Sequence, residues 1–472
     1  MTWWTVFKLE GQILRRDRSV HVVIGLFALF SLFAAASGGR LAADLSDGLE
    51  RSESEVLSRY SEQEASLKAL DGSSKPVMSK DPRNTVWMGQ EGAATIAVLP
   101  PAPLAPIAAG QRDIRPQAVR VTSDVNLIHE RETETAMVGP TRMATGAFDP
   151  AFFFVVLFPL VVIGLSYELL SGERERGTLA MLLSQPVSQL GLIVGKAASR
   201  FALLCVVTLV CALLGLLLSG ASLGSGVAVL HSILYLAVLF AWGAFWFALA
   251  IWVNSRGGAS AKNALTLVGF WLVFVVVLPG VSEVVVDTLY PPPSQVELLH
   301  EAREAAQAVE EKLNALEGRH DVNPKEGATA QAIVEVQEAL LERSEPVLAE
   351  VREQTLIRNA FLNRLRFISP AIMAQASLED IAGSSALRHD HFDEAAEQYH
   401  QTFRTFFAER IKAGSRFTLQ DFEKIPVFSY REVETSVLLE RVGLNIVVMM
   451  MLATLLVGAA RSGLSRIGRL TR

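Results

Sequence analysis

The chain has only two cysteines in 472 residues, Cys205 and Cys211. They stand six apart in one apolar run, on different faces of a helix, so they read as packing or lipid-facing residues rather than a disulfide or metal pair. The long polar stretches hold no cysteine, and they say nothing of the redox compartment. No GxxxxGK[ST] phosphate loop occurs, which excludes the commonest nucleotide engine from this polypeptide. The eight histidines are scattered, and no Ser-His-Asp or Cys-His arrangement follows from their spacing. No basic, aromatic-rich face points to nucleic acid, and no repeat of about 20 to 50 residues is evident.

Charge is scarce too: 19% of residues are charged against 50% hydrophobic, and the mean hydropathy is +0.32. Such a balance describes a membrane protein rather than one large soluble core. Apolar windows lie at 21–36, 151–169, 201–218, 227–253, 264–286 and 437–460. Each is close to the roughly 17 to 25 residues that cross a bilayer as a helix. The expected fold is an all-α polytopic membrane protein with six transmembrane helices. An extracytoplasmic insertion of mixed helix and extended chain follows span 1, and a helical one follows span 5.

The expected boundaries are an amphipathic N-terminal helix at 1–19, span 1 at 20–38, the first external domain at 39–149 and span 2 at 150–169. A cytoplasmic segment at 170–199 precedes spans 3 and 4 at 200–220 and 226–253, and a short loop at 254–263 precedes span 5 at 264–288. The second external domain at 289–434, span 6 at 436–460 and a basic tail at 461–472 complete the chain. The net charge of −6 is sorted by region. Lys8, Arg15, Arg16 and Arg18 precede span 1, Arg256 and Lys262 separate spans 4 and 5, and Arg461, Arg466, Arg469 and Arg472 follow span 6. The positive-inside rule assigns all three patches to the cytoplasm, which agrees with an even number of spans. Ala34-Ala35-Ala36 makes a passable signal-peptide cleavage site. The long lead-in, with Trp3, Trp4, Phe7, Ile13 and Leu14 at roughly helical spacing, favours an uncleaved anchor preceded by an interfacial helix.

After span 1, Leu41, Leu45, Leu49, Val56, Leu67 and Leu70 keep a near-heptad rhythm, which predicts a helical stalk ending at Asp71-Gly72-Ser73-Ser74. Pro100, Pro101, Pro103 and Pro106 then forbid a regular helix, and "QAVRVTSDVNLI" alternates like a short strand. The second insertion opens on Pro291-Pro292-Pro293 and continues as two stretches rich in helix formers, 296–320 and 329–367, expected to pack antiparallel.

The stretch "SYELLSGERERGTLAMLLSQPVSQ" carries the sharpest signal. Glu173, Arg174, Glu175 and Arg176 follow directly on apolar span 2. Burying all four at mid-membrane would cost about 10 kcal/mol or more, so the chain must leave the membrane near Glu168. Outside it, Ser171 is placed to cap a helix with Glu173 and Glu175 in the first turn. Leu179, Leu182 and Leu183 share one face, and Pro186 ends the run. That yields a short cytoplasmic helix suited to be gripped by another protein, or, on the plainer view, an ordinary solvated turn.

The stretch Tyr167 to Lys196, "YELLSGERERGTLAMLLSQPVSQLGLIVGK", resembles the permease subunits of ABC-2-type (type V) ABC transporters, whose coupling helix follows span 2. "PLAPIAAGQRDIRPQAVRV", "ATGAFDPAFFFVVLFPL", "ISPAIMAQASLEDIAGSSALRHDHFDEAAEQYHQTFRTFF" and "DFEKIPVFSY" are similar to a subgroup with large external loops, labelled as multicopper-enzyme-maturation permeases. The resemblance implies a multi-pass protein of the bacterial inner membrane and a helical dimer with an identical or paralogous permease. It also implies two separate ABC ATPase subunits that carry the ATP and magnesium, with no cofactor and no catalysis on this chain. The implied coupling set is Glu168, Glu173, Arg174, Glu175, Arg176, Gly177, Thr178, Leu179, Leu182 and Leu183. A lipid-linked or periplasmic client is the cargo the long insertions suggest. The rival expectation is a membrane sensor or scaffold.

Elsewhere, His389, His391 and His400 gather with Asp390, Asp393, Glu394 and Glu397. Copper or zinc would accept such donors, but spacings of two and nine do not bring three imidazoles to one helix face. Glu283, Asp287, Glu440, Arg441 and Asn445 lie near span ends, where snorkelling makes them inexpensive; Glu440 and Arg441 read as an interfacial anchor. Gly243 with Trp242, Trp246 and Trp252 reads as close packing with aromatic interfacial anchoring.

Overall fold

The computed structural model describes residues 3–70, 77–124, 148–185, 188–291 and 326–470. Among these described residues, six helices are long and apolar enough to cross a membrane, as the hydropathy requires. The even number returns both chain ends to one end of the bundle, the base, and the two insertions rise from the other, the crown.

Span 1 is one uninterrupted helix, Arg18–Leu70, of 53 residues. At 1.5 Å per residue it is about 80 Å long, of which a hydrocarbon layer takes roughly 30 Å. The rest is the stalk, and its heptad face turns inward, with Val56 and Leu67 buried. Where span 1 enters the crown it is pinched. A Cβ added at Gly38 would stand 2.1 Å from the Pro106 carbonyl oxygen, and one at Gly39 2.7 Å from the Ser219 Cα. Only glycine admits such contact.

Span 2 starts at Asp149, whose carboxylate caps Phe152 N at 2.8 Å and also accepts from Ala109 N at 2.7 Å, tying the first insertion to the membrane body. A widened turn, Phe153–Leu157, separates Pro150–Phe152 from Phe158–Ser166. Phe158 N is bonded to the Phe153 carbonyl, and Pro159 has no N–H, so the Phe154 carbonyl loses both of its helical donors. Trp242 Nε1 supplies one at 3.0 Å, and Trp271 Nε1 reaches the Val156 carbonyl at 2.9 Å. Trp242 and Trp246 are therefore core residues, fully buried, and not the interfacial anchors expected from sequence. Only Trp252 has that character, with the Arg256 guanidinium 3.9 Å over its ring. Close packing at Gly243 does hold, since an added Cβ would meet Phe158 and Phe201 at 3.2 Å.

Spans 3 and 4, Gln189–Leu218 and Gly226–Asn254, start at Ser188 and Ser225, whose hydroxyls accept from Gly191 N and Ala228 N. Span 5 covers Ser260–Leu289, and span 6 runs through Thr435–Ser462. Cys205 and Cys211 are both free thiols.

The crown draws on both insertions. Antiparallel strands β1 (Thr95–Val98) and β2 (Ala118–Val121) pair Thr95 with Val121 and Val98 with Ala118. Met88, Leu99 and Val121 from the first insertion share one core with Phe392, Phe403, Phe407 and Phe417 from the second. Arg115 links them further, bonding Asp390 at 2.7 Å and Asp393 at 2.8 Å. The long helix Glu326–Leu365 is present as expected; the 296–320 stretch meant to pair with it lies outside the described residues. A short helix, Pro370–Ala382, wedges between the crown and the tops of spans 4 and 6. There Arg441 Nε bonds Asp380 at 3.0 Å and Asn445 Nδ2 bonds Ser377 at 2.9 Å. Arg441 thus ties span 6 to the wedge helix instead of anchoring at an interface.

Candidate functional site

The charged knot after span 2 does not form one continuous helix. Two short helices, Ser171–Glu175 and Leu179–Leu183, are separated at Gly177, whose φ is +75°. A left-handed residue cannot continue a right-handed helix, and glycine adopts that conformation without strain. Ser171 is the first residue inside its helix rather than a cap. Its hydroxyl lies against the Tyr167 carbonyl and accepts from Ser260 Oγ at 2.8 Å. Pro186, expected to stop the helix, lies outside the described residues.

Of the two acidic side chains, Glu173 turns inward, while Glu175 stays exposed. Glu173 Oε1 takes a 2.6 Å bond from Lys196 Nζ, and its other oxygen accepts from the Thr178 hydroxyl. Lys196 is buried and lies 3.8 Å from Glu10, itself buried, which is held by Arg200 at 2.7 Å. Arg200 also donates to the Leu165 carbonyl at the base of span 2. Lys196 and Arg200 are four apart and share a face of span 3. That face receives the N-terminal helix Trp3–Leu14 because Gly195 leaves room, an added Cβ lying 2.8 Å from the Trp3 carbonyl oxygen. Two carboxylates and two cations thus form a closed, neutral cluster joining the N-terminal helix, span 3 and the post-span-2 segment.

A second tie runs to span 5. Its first residue, Ser260, follows Ala259, which offers no side-chain cap, and Glu175 Oε1 accepts from Ser260 N at 2.7 Å. The acid thus caps a neighbouring helix and meets its positive end. Arg174 donates to the Gly257 and Gly258 carbonyls of the same loop. Buried beneath, Asn254 bonds the Ser166 carbonyl at 3.0 Å and accepts from Asn263 at 3.2 Å.

Of the other residues expected to act here, Leu179 and Leu182 are half-buried against the membrane core. The Leu183 side chain is outside the described residues. The Glu168 carboxylate is half-buried and forms no ion pair among the described residues. Arg176 bonds the Gly172 carbonyl at 3.0 Å, approaches Glu173 at 3.7 Å, and leaves 62% of its side chain exposed. Met181, on the second short helix, is 66% exposed. Sequence patterns passed over Glu10, Asn254 and Asn263. Asn254 and Asn263 signal only as polar residues near the ends of apolar helices, and Glu10 as a lone acid inside the N-terminal helix.

The chain from residue 4 to residue 461 matches the family described as ABC-2 family transporter protein. The chain belongs to that ABC-2 transporter family. No curated relative matches the sequence. In this ABC-2 protein the stretch that carried the sequence resemblance is the one that joins the N-terminal helix, span 3 and span 5 at the base.

The histidines of the crown diverge. His389 is buried with Nδ1 on the Ser385 carbonyl, His391 faces the Tyr430 hydroxyl at 3.2 Å, and His400 faces the Asp124 carbonyl at 3.0 Å. Asp390 and Asp393 are taken by Arg115, and Asn359 also bonds Asp390. Among the described residues no group of three or more His, Cys, Asp or Glu stands together as metal ligands. Burial, followed by the Arg115 and Arg388 charges, holds the His389 imidazole below the ordinary histidine value against its bond to Ser385.

Proposed function

We propose that this ABC-2 protein is the permease subunit of an ATP-driven transporter of the bacterial inner membrane, with its base in the cytoplasm. Separate ABC ATPase subunits supply ATP and magnesium, and a second permease, identical or paralogous, completes the membrane dimer. The observation that carries the reading is the double tie of the post-span-2 segment, through Glu173 to span 3 and through Glu175 to span 5. A push on Ser171–Glu175 reaches two spans and the N-terminal helix through these side-chain bonds. Glu173 and Glu175 set the posture of the segment, and the exposed Arg176 and Met181 supply its docking contacts.

Cargo of the lipid-linked or periplasmic-client kind suits a crown this large, as does membership of the large-loop subgroup labelled for multicopper-enzyme maturation. Affinity purification of the tagged full chain from its native membrane tests the reading. The expected result is co-purification of an ABC ATPase whose recovery falls with Arg176→Glu/Met181→Asp. Recovery of the permease without any ATPase would overturn it.

A further inference from the structure

A crevice of about 520 Å³ opens between spans 3, 4 and 6 in the base half of the bundle, within the roughly 300 to 1,000 Å³ usual for ligand sites. Its walls are mostly apolar, with small residues such as Ala197, Ala248 and Gly458 set among the larger Phe201, Phe247 and Ile251. Small residues ordinarily let membrane helices touch. Spans 4 and 6 do pack together here, with Ala248 and Ala453 buried, but the side toward span 3 stays open: an added Cβ at Gly458 meets nothing within 4 Å, and Thr454 on the same wall is exposed.

Among its described lining residues, one carries a charge. Arg461 lines its base end, is exposed, and forms no ion pair among the described residues. Thr454 and Arg461 are separated by about 10 Å of helix rise, so the cation stands where an apolar slot meets the headgroup layer. An occupant that satisfies both ends has a hydrocarbon tail and an anionic head. We propose that the crevice holds one acyl chain of an anionic phospholipid from the leaflet at the base, with its phosphate on Arg461. The site follows from the spans alone and holds whether or not the protein transports anything.

Native mass spectrometry of the detergent-purified full chain, titrated with phosphatidylglycerol or phosphatidylcholine of the same acyl chains, tests it. Wild type is expected to retain one phosphatidylglycerol at least about tenfold more tightly than phosphatidylcholine. Arg461→Ala should lose that preference, and Gly458→Phe, whose Cβ meets nothing within 4 Å and whose ring takes up slot space, should lose both lipids. Equal retention of the two lipids by wild type would overturn the proposal, as would undiminished lipid on monodisperse Gly458→Phe. If that variant aggregates, Thr454→Phe on the exposed wall gives the same two outcomes. Crosslinking between copies through Gly458→Cys would place a second chain in the slot and also refute a lipid occupant.

Discussion

Replacing Lys196 by methionine keeps an unbranched apolar stem and removes the charge at the centre of the basal cluster. Lys196 Nζ is 2.6 Å from Glu173 and 3.8 Å from Glu10. At an effective dielectric of about 20 the closer contact is worth roughly 6 kcal/mol before desolvation, which offsets most of it. The net effect turns on what each acid retains. Glu10 keeps Arg200 at 2.7 Å, while Glu173 keeps the Thr178 hydroxyl and a mostly solvated Arg176 at 3.7 Å. Stranding one member of a fully buried pair costs about 3 to 5 kcal/mol; with the Glu173 side chain 16% exposed and a hydroxyl left to it, about 2 kcal/mol is expected. The assay is the fraction of full-length protein that survives gel filtration after graded heating in detergent, a kinetic measure suited to irreversible unfolding. Lys196→Met should lower the midpoint, and Glu173→Gln/Lys196→Met should regain most of the loss because no carboxylate is left stranded. A double variant that loses as much as the two single losses combined would refute the pairing.

Three further outcomes are expected. Trp242→Phe leaves the Phe154 carbonyl without a donor, at a cost of about 1 to 3 kcal/mol, whereas Trp246→Phe loses less because its Nε1 makes no hydrogen bond; the same heating series compares them. The folded His389 imidazole titrates below its unfolded value of about 6.5, so its contribution is full above about 6.5 and is lost as pH falls from there through the lower folded value. The midpoint of wild type should therefore drop more between pH 7.5 and pH 5.5 than that of His389→Asn, and parallel drops would dismiss the effect. Equilibrium dialysis against copper and zinc should find no tighter binding to wild type than to a variant with His389, His391 and His400 all changed to alanine; a wild-type excess would restore the metal reading.

The spans were legible because a bilayer imposes a length and a polarity that survive in any apolar window. The stalk was legible because Leu41 to Leu70 repeat at a helical period. What escaped notice depends on partners remote in sequence. Phe392 and Phe403 share a core with Met88 and Val121 across some 300 residues, and no local periodicity records such a meeting. The wedge helix Pro370–Ala382 is too short to read as a span and too rich in alanine to stand out from soluble helix. At the base, the charges of the post-span-2 segment are visible, but the inward turn of Glu173 is not. Lys196 in span 3 and Glu10 in the N-terminal helix each look like a stray charge until folding sets one beside the other.

The displacement from any tilt of the unbroken helix from Arg18 to Leu70 would grow along its length. With about 50 Å of rod beyond the hydrocarbon layer, a lean of about 5° at the base sweeps the tip through about 4 Å. A nudge too slight to repack a bundle of spans thereby becomes, far above the bilayer, a displacement as wide as a side chain.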